Sequence, residues 1–352
     1  MTAGADRPAS RADEARLADE VRLVRGSAAV VPVDRQVVLV EGPDAASFLQ
    51  GQCSQDVFAL PAGASADALL LSPQGKLQAL VRISRLNDEG FVVDVDSGYA
   101  QTVVARLLQF RLRVKVEVTE LPWRCVSVRG PDAAGLVGGV GDGTAVVAPV
   151  SWNGVVGADL VGSAPLAPAG VPVVGSDAWQ AVRVEAGIPV MGAELDERTI
   201  AAEAGLVERA VSFTKGCYTG QELVARLDAR GNRVARRLLG VVVDDGDGAP
   251  SAGDVLVVGD REVGRLTSVA WSPTLGRPVA LAYVHRTLQA PAPVSVVPGT
   301  ERDGERGEHG EGGGAEGSRG GDDGTAATSA PAGAARRALG GEVRELPLVA
   351  GG

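Results

Sequence analysis

The sequence predicts an α+β protein of several lobes that ends in a small all-β barrel. Three observations carry the prediction. Through the first two-thirds, short apolar runs of strand character alternate with segments of helical spacing, the pattern of sheets backed by helices. After Arg237 the helical spacing stops. Short valine-rich runs then follow one another between Gly, Asp and Pro, as in a small barrel or sandwich. Between the two regions, a glycine turn at residues 214–222 separates an apolar run from a helix-like one.

Residues 1–10 are polar and read as disordered. Residues 12–25 place Leu17, Val21 and Val24 on one helical face. Residues 37–40 read as a buried strand, and Gly42-Pro43-Asp44 opens a helix through Phe48-Leu49. A polar turn, Gln50-Gly51-Gln52-Cys53-Ser54-Gln55-Asp56, follows. Residues 68–71 and 77–83 read as strands joined by the loop 72–76. A third strand spans 91–95, Ser97 caps a helix to about Phe110, and residues 113–118 alternate as a strand should. Residues 123–128 and 145–150 are further strands, with glycine-rich loops at 135–143 and 154–175. Ser176 or Asp177 caps a helix over 178–185 that Gly187-Ile188-Pro189 stops. Strands at 237–243, 255–258, 262–267, 279–283, 294–297 and 343–346 make the barrel. Residues 299–338 hold almost no large apolar groups, so burial cannot offset their ordering entropy, and they read as a disordered insertion.

The chain has 352 residues, 45% of them hydrophobic, enough for more than one structural unit. Aromatics are scarce, so Val, Leu and Ala fill the core. A formal charge of −10 argues against non-specific nucleic-acid binding, which needs a basic footprint. No apolar run is long enough to span a bilayer, and no signal-peptide core is present, so a cytoplasmic location is expected. Cys53, Cys125 and Cys217 are odd in number and far apart, which argues against a disulfide framework or an all-cysteine iron–sulfur cluster. With only His285 and His309, a histidine-rich zinc site is excluded and no metal site is expected.

The chemistry concentrates at Lys215-Gly216-Cys217-Tyr218-Thr219-Gly220-Gln221-Glu222. Residues 210–213 read as a strand leading in. Thr219 and Glu222 have the spacing of a capping box, and Gly231 stands where a helix C′ glycine belongs. Cys217 and Lys215 then lie just ahead of a helix N-terminus, where unpaired N–H groups favour a thiolate or an anionic ligand. A second reading stands beside this one: Gly216 and Gly220 serve only the turn, and Cys217 is a small buried filler.

These eight residues, followed by Val-Ala-Arg, resemble the signature of the YgfZ folate-binding proteins, relatives of the glycine-cleavage T-protein, the aminomethyltransferase. The resemblance covers roughly residues 25–298 plus the last strand. It implies a multi-lobed T-protein-like folate-binding fold with a C-terminal barrel: a tail and helix over 1–24, a folate-binding region over 25–237, and a barrel over 238–298 and 339–352. It also implies tetrahydrofolate or a one-carbon derivative as cofactor. Iron–sulfur client proteins, tRNA-modifying enzymes among them, are the implied partners.

Site residues follow residue by residue. The run Arg183-Val184-Glu185-Ala186-Gly187 through Asp196 resembles the family's helix and loop in which a glutamate binds the pterin ring, and Glu194 takes that position. One carboxylate accepts two parallel ring donors well. Otherwise Glu194 and Asp196 are solvated loop charges. Arg226, first of the run Arg226, Arg230, Arg233, Arg236, Arg237, is the candidate for a glutamate-tail carboxylate, with Lys215 and Asp94 as further folate contacts. Asp94 and Asp96 equally serve as a cap and a turn. Cys217 is the candidate reactive group, its role open.

One departure bears on activity. Aminomethyltransferases resemble Gly-Gly-Ile-Leu-Asp-Asp in the second hairpin strand, where an aspartate takes part in the reaction. This chain reads Gln74-Gly75-Lys76-Leu77-Gln78-Ala79, so whether it is an enzyme stays open. Folate-dependent support of iron–sulfur proteins is therefore the first expectation. Aminomethyl transfer in glycine cleavage and a non-catalytic RNA-binding or adaptor role are the alternatives, the last disfavoured by acidic charge and missing aromatics.

Overall fold

The computed structural model describes residues 7–138, 141, 143–246, 248–299 and 338–350. The insertion expected at 299–338 lies, except for its two end residues, outside the described residues, as do residues 1–6 of the expected disordered tail.

Helix α1 (Arg11–Gly26) starts where Ser10 Oγ accepts from the Asp13 N–H at 3.1 Å, and it buries Leu17, Val21 and Val24 as the spacing requires. After it come β1 (Ala29–Val31), β2 (Arg35–Glu41), α2 (Ala45–Gln52), β3 (Ser65–Leu71), β4 (Leu77–Arg85), β5 (Gly90–Asp96), α3 (Ala100–Gln109) and β6 (Glu117–Leu121). The middle of the chain holds β7 (Arg124–Arg129), α4 (Ala133–Leu136), β8 (Val146–Trp152), β9 (Val155–Gly162), α5 (Ser176–Ala186), α6 (Val207–Ala210) and α7 (Gln221–Asp228). The last part is β10 (Arg236–Val243), β11 (Val255–Val258), β12 (Arg261–Ser272), β13 (Arg277–His285), β14 (Ala292–Val297) and β15 (Leu339–Arg344).

Among the described residues the strands form three sheets: β3-β4-β5-β2-β6, β1-β7-β9-β8, and a closed barrel β10-β13-β12-β11-β14-β15. The barrel closes because β15 pairs with both β10 and β14, leaving no open edge. Leu239, Val241, Leu256, Leu266, Val296 and Val343 fill its interior. Outside it, α1 and α5 pack through Leu17 and Val182 in one core with Trp271 and Leu281.

Strand β5 shows how the first sheet presents a polar face. Alternation sends Phe91, Val93 and Val95 into a core with Phe48 and Leu49 of α2 and Val103 and Leu107 of α3. Val92 points the other way, to a small core with Val146, Ala148 and Val161 of the second sheet. Asp94 and Asp96 share that second face, turned toward the second sheet.

Several elements correct the sequence reading. Residues 113–118 were expected as a strand, but Arg113 sits in the left-handed region at φ 57° and β6 begins only at Glu117. The expected loop 154–175 contains β9, which pairs between β7 and β8. Its glycines hide a strand because they admit close backbone approach: a Cβ on Gly162 would lie 2.1 Å from Gly143 O. Residues 210–213 form no strand. α6 ends at Ala210, and the Ser212 N–H donates instead to Ser54 O at 2.9 Å.

Candidate functional site

The polar face of the first sheet carries a buried ion chain. Arg82 on β4 lies directly opposite Asp94 on β5, and Arg35 on β2 lies opposite Asp96. Arg82 grips Asp94 with two nitrogens, Nε to Oδ2 at 3.0 Å and Nη2 to Oδ1 at 2.9 Å. Its third nitrogen, Nη1, donates to Asp159 of β9 at 2.5 Å. Arg129 of β7 donates to the other Asp159 oxygen at 2.7 Å. Arg35 pairs with Asp94 and, at 2.9 Å, with Asp96. Asp96 Oδ2 in turn accepts the Met191 N–H at 3.0 Å. Three cations and three carboxylates thus bind the first sheet, the second sheet and the 188–195 loop. Burial alone would raise the Asp159 carboxyl, but Arg129 and Arg82 overcome it and hold it well below the ordinary carboxylate range.

A second network joins that loop to the barrel. Glu194 Oε2 accepts from Arg183 Nη1 at 3.0 Å and from the Val190 N–H at 3.2 Å. Oε1 accepts from Thr267 Oγ1 at 2.8 Å and Ser268 Oγ at 2.5 Å. The β12–β13 register shifts between Leu266 and Ser268, so the bulge at Thr267 aims two successive hydroxyls at one oxygen. All four lone-pair positions of this carboxylate are filled.

Between these networks lies a cavity of about 390 Å³, bordered by the first two sheets, α5, α6 and the 188–190 loop. Its volume falls in the ~300–1,000 Å³ range of small-molecule pockets. Trp152 and Trp179 form aromatic walls, each under an arginine: Arg209 lies 4.1 Å from the Trp152 ring centre and Arg129 lies 5.6 Å from that of Trp179. Arg35, Arg82 and Arg183 also reach the lining, with Asp34, Asp67 and Asp96.

The sequence-expected residues fall in three places. Asp94 and Glu194 stand one layer behind the cavity, their carboxylates fully buried and committed to the arginines that line it. The alternative of a solvated loop charge does not hold for Glu194, which is 2% exposed. Lys215 is engaged within the protein. Its ammonium donates to Gln50 O at 2.6 Å, Cys53 O at 2.7 Å and Gln55 O at 3.1 Å, so all three protons tie the motif to the polar turn after α2 and none is left for a ligand. Arg226 stands apart from the cavity. It is exposed on α7 and does not reach the cavity lining.

The motif is therefore a brace on this turn. The Thr219 N–H donates to Gly51 O at 3.1 Å. Gly220 adopts φ 82° against the β3–β4 hairpin, where a Cβ would meet Ser72 O at 2.4 Å. This replaces the expected capping box, because Gly220 and not Thr219 is the N-cap of α7 and no side chain caps it. The C-terminal expectation matches: Gly231 N–H donates to Asp228 O and Asn232 N–H to Leu227 O, both at 2.8 Å, a Schellman ending. Gly216, Tyr218, Gln221 and Glu222 lie with the motif outside the cavity lining, and Cys217 is exposed there, not a buried filler. Among the described residues, no group of three or more His, Cys, Asp and Glu is placed to hold a metal, and no helix is long and apolar enough to cross a membrane.

The sequence reading missed Arg35, Arg82, Arg129, Arg209, Trp152 and Trp179. A signal existed for some: Arg82 and Asp159 interrupt otherwise apolar strands, and a charge there needs a buried partner.

These features define an α+β protein with a small-molecule cavity between its first two sheets and a C-terminal barrel beyond it. Residues 3–150 match the family described as the GCVT N-terminal domain, and residues 236–302 match the glycine cleavage T-protein C-terminal barrel domain. The chain is 30% identical over 276 residues to an aminomethyltransferase of Rubrobacter xylanophilus, covering 70% of this chain and 73% of that protein. It is 28% identical over 312 residues to an aminomethyltransferase of Streptomyces avermitilis (79% and 84% covered). It is also 29% identical over 207 residues to an uncharacterized protein of Haemophilus influenzae (56% and 67%). The fold resembles the crystal structure of glycine cleavage system aminomethyltransferase T from Bartonella henselae, with a TM-score of 0.71, 21% identity and 95% and 90% of the chains covered. The chain belongs to the glycine cleavage T-protein family of aminomethyltransferase-like proteins.

Proposed function

We propose that the chain binds tetrahydrofolate or a one-carbon derivative in this cavity and supports the assembly or repair of iron–sulfur proteins, including enzymes that modify tRNA. The observation that carries the folate reading is the cavity itself: two indole walls with guanidinium groups between them suit a flat, polar heterocycle. In this reading Asp94 and Glu194 act from behind, holding Arg35, Arg82 and Arg183 at the wall. Lys215 and the rest of the signature hold the turn after α2, and Arg226 has no ligand role. The iron–sulfur role rests on the YgfZ resemblance of residues 215–222. Exposure of Cys217 outside the cavity supports contact with a macromolecular client. Gln78, where transferases resemble an acid, disfavours aminomethyl transfer.

Calorimetric titration with tetrahydrofolate and its 5-formyl and 5,10-methylene forms tests the folate reading. Saturable one-site binding is expected. No heat and no thermal stabilisation at millimolar ligand would refute it.

A further inference from the structure

The arginines around the cavity are not equivalent. Arg82 uses Nε, Nη1 and Nη2 on carboxylates. Arg35 does the same with Asp94, Asp96 and the Asp94 carbonyl. Arg183 places Nε on Gln180, Nη1 on Ile188 O and Glu194, and Nη2 on Ser268. Arg129 differs. Its Nη1 alone makes every bond, to Val128 O, Ala158 O and Asp159 Oδ1. Among the described residues Nε is buried without a partner, while Nη2 takes no part in these bonds and is not among the buried unpartnered atoms. Water does not reach Nε, whereas it can reach Nη2. Nη2 is thus the donor that a ligand can reach on a cavity-lining guanidinium stacked on Trp179.

Charge decides what acceptor belongs there. The ion chain pairs Arg35, Arg82 and Arg129 with Asp94, Asp96 and Asp159. Arg183 is matched by Glu194 and Arg209 by Asp67, and Asp34 adds a further acid at the lining. The cavity therefore has no uncompensated positive charge to attract a carboxylate. A neutral planar acceptor fits Nη2 and the indole better than the glutamate tail does.

Resting on the folate reading above, we infer that Arg129 is the specificity-determining contact of the cavity, its Nη2 donating to the 4-oxo group of the pterin ring while Trp179 extends the stacking surface. The pterin head is then seated by Arg129 between the first two sheets, and the tail points away from it.

The test uses the full chain and three probes: tetrahydrofolate, a tail-less 6-methyl-tetrahydropterin, and the 4-amino analogue of tetrahydrofolate, in which a donor replaces the oxo acceptor. In the wild type, the 4-amino analogue should bind at least about tenfold more weakly than tetrahydrofolate, because donor faces donor. Equal affinity overturns the inference, with no variant needed. Arg129→Gln, and Arg129→Lys, which keeps a cation for Asp159 without the second donor, should each weaken tetrahydrofolate and the tail-less pterin alike, by about tenfold or more. Both should lose the discrimination against the 4-amino compound. A loss confined to tetrahydrofolate would assign Arg129 to the tail and overturn the pterin contact. Unchanged affinities in a folded variant would overturn it as well, while leaving the folate reading standing. Failure of the wild type to bind any of the probes would refute that reading itself.

Discussion

The three thiols differ in what surrounds them. Cys53 is fully buried, and burial pushes its thiol up. Cys125 is pushed up to about 12, by burial and then by Asp159. Cys217 is exposed. Because the thiolate is the nucleophile, iodoacetamide at neutral pH should label Cys217 first, followed by peptide mass spectrometry. Cys125 in the native protein should react only as pH rises through the alkaline range toward its raised value. Saturating folate should leave the Cys217 rate unchanged, since this thiol lies outside the cavity lining. Labelling of Cys53 or Cys125 ahead of Cys217, or clear protection by folate, would place the thiols differently from the structure.

At the scale of elements, the 188–195 loop and strand β12 are joined through one carboxylate. Tyr283 Oη adds a bond to the Glu194 carbonyl at 2.9 Å, so the barrel holds both ends of this residue. The expectation of a solvated loop charge implied that Glu194→Gln leaves stability untouched. The geometry implies the reverse. Removing one partner of a buried pair leaves Arg183 uncompensated, a change that costs about 3–5 kcal/mol. Urea unfolding should show that loss in Glu194→Gln, and a loss below ~1 kcal/mol would mean that the carboxylate is solvated after all. The bulge at Thr267 explains why neither strand spacing nor the loop sequence reveals the contact: two adjacent side chains on one strand normally point to opposite faces, and only the register shift turns both to Glu194.

For the whole molecule, closure of the barrel depends on the pairing of β14 with β15, where Val296 lies opposite Leu339. The two chain ends of the intervening segment are therefore neighbours in one ladder. Replacing residues 300–337 with a five-residue turn should leave the fold intact and change stability by no more than about 2 kcal/mol, some three halvings of loop length at ~0.6 kcal/mol each. Thermal and chemical unfolding would check this, and a large loss would show that the segment packs.

What the sequence determined by itself is local and periodic. The face of α1, the hairpin β3–β4, the glycine ends of α5 and α7 and the short strands of the barrel were all legible, because alternation, helical spacing and a left-handed glycine are properties of neighbouring residues. The signature at 215–222 was equally visible, and its resemblance pointed to the T-protein superfamily that the matches over 3–150 and 236–302 support. What only the tertiary structure decided is which polar groups face a ligand. Arg82 and Asp94 are far apart along the chain but opposite each other in register, and Asp159 reaches them from another sheet. Lys215 was read as a ligand group because its charge was visible and its three carbonyl partners at 50–55 were not. A charge in a sequence is free until the fold assigns its partner. In this chain the fold spends Lys215, Asp94 and Glu194 on the protein itself and leaves Nη2 of Arg129 outside its hydrogen bonds.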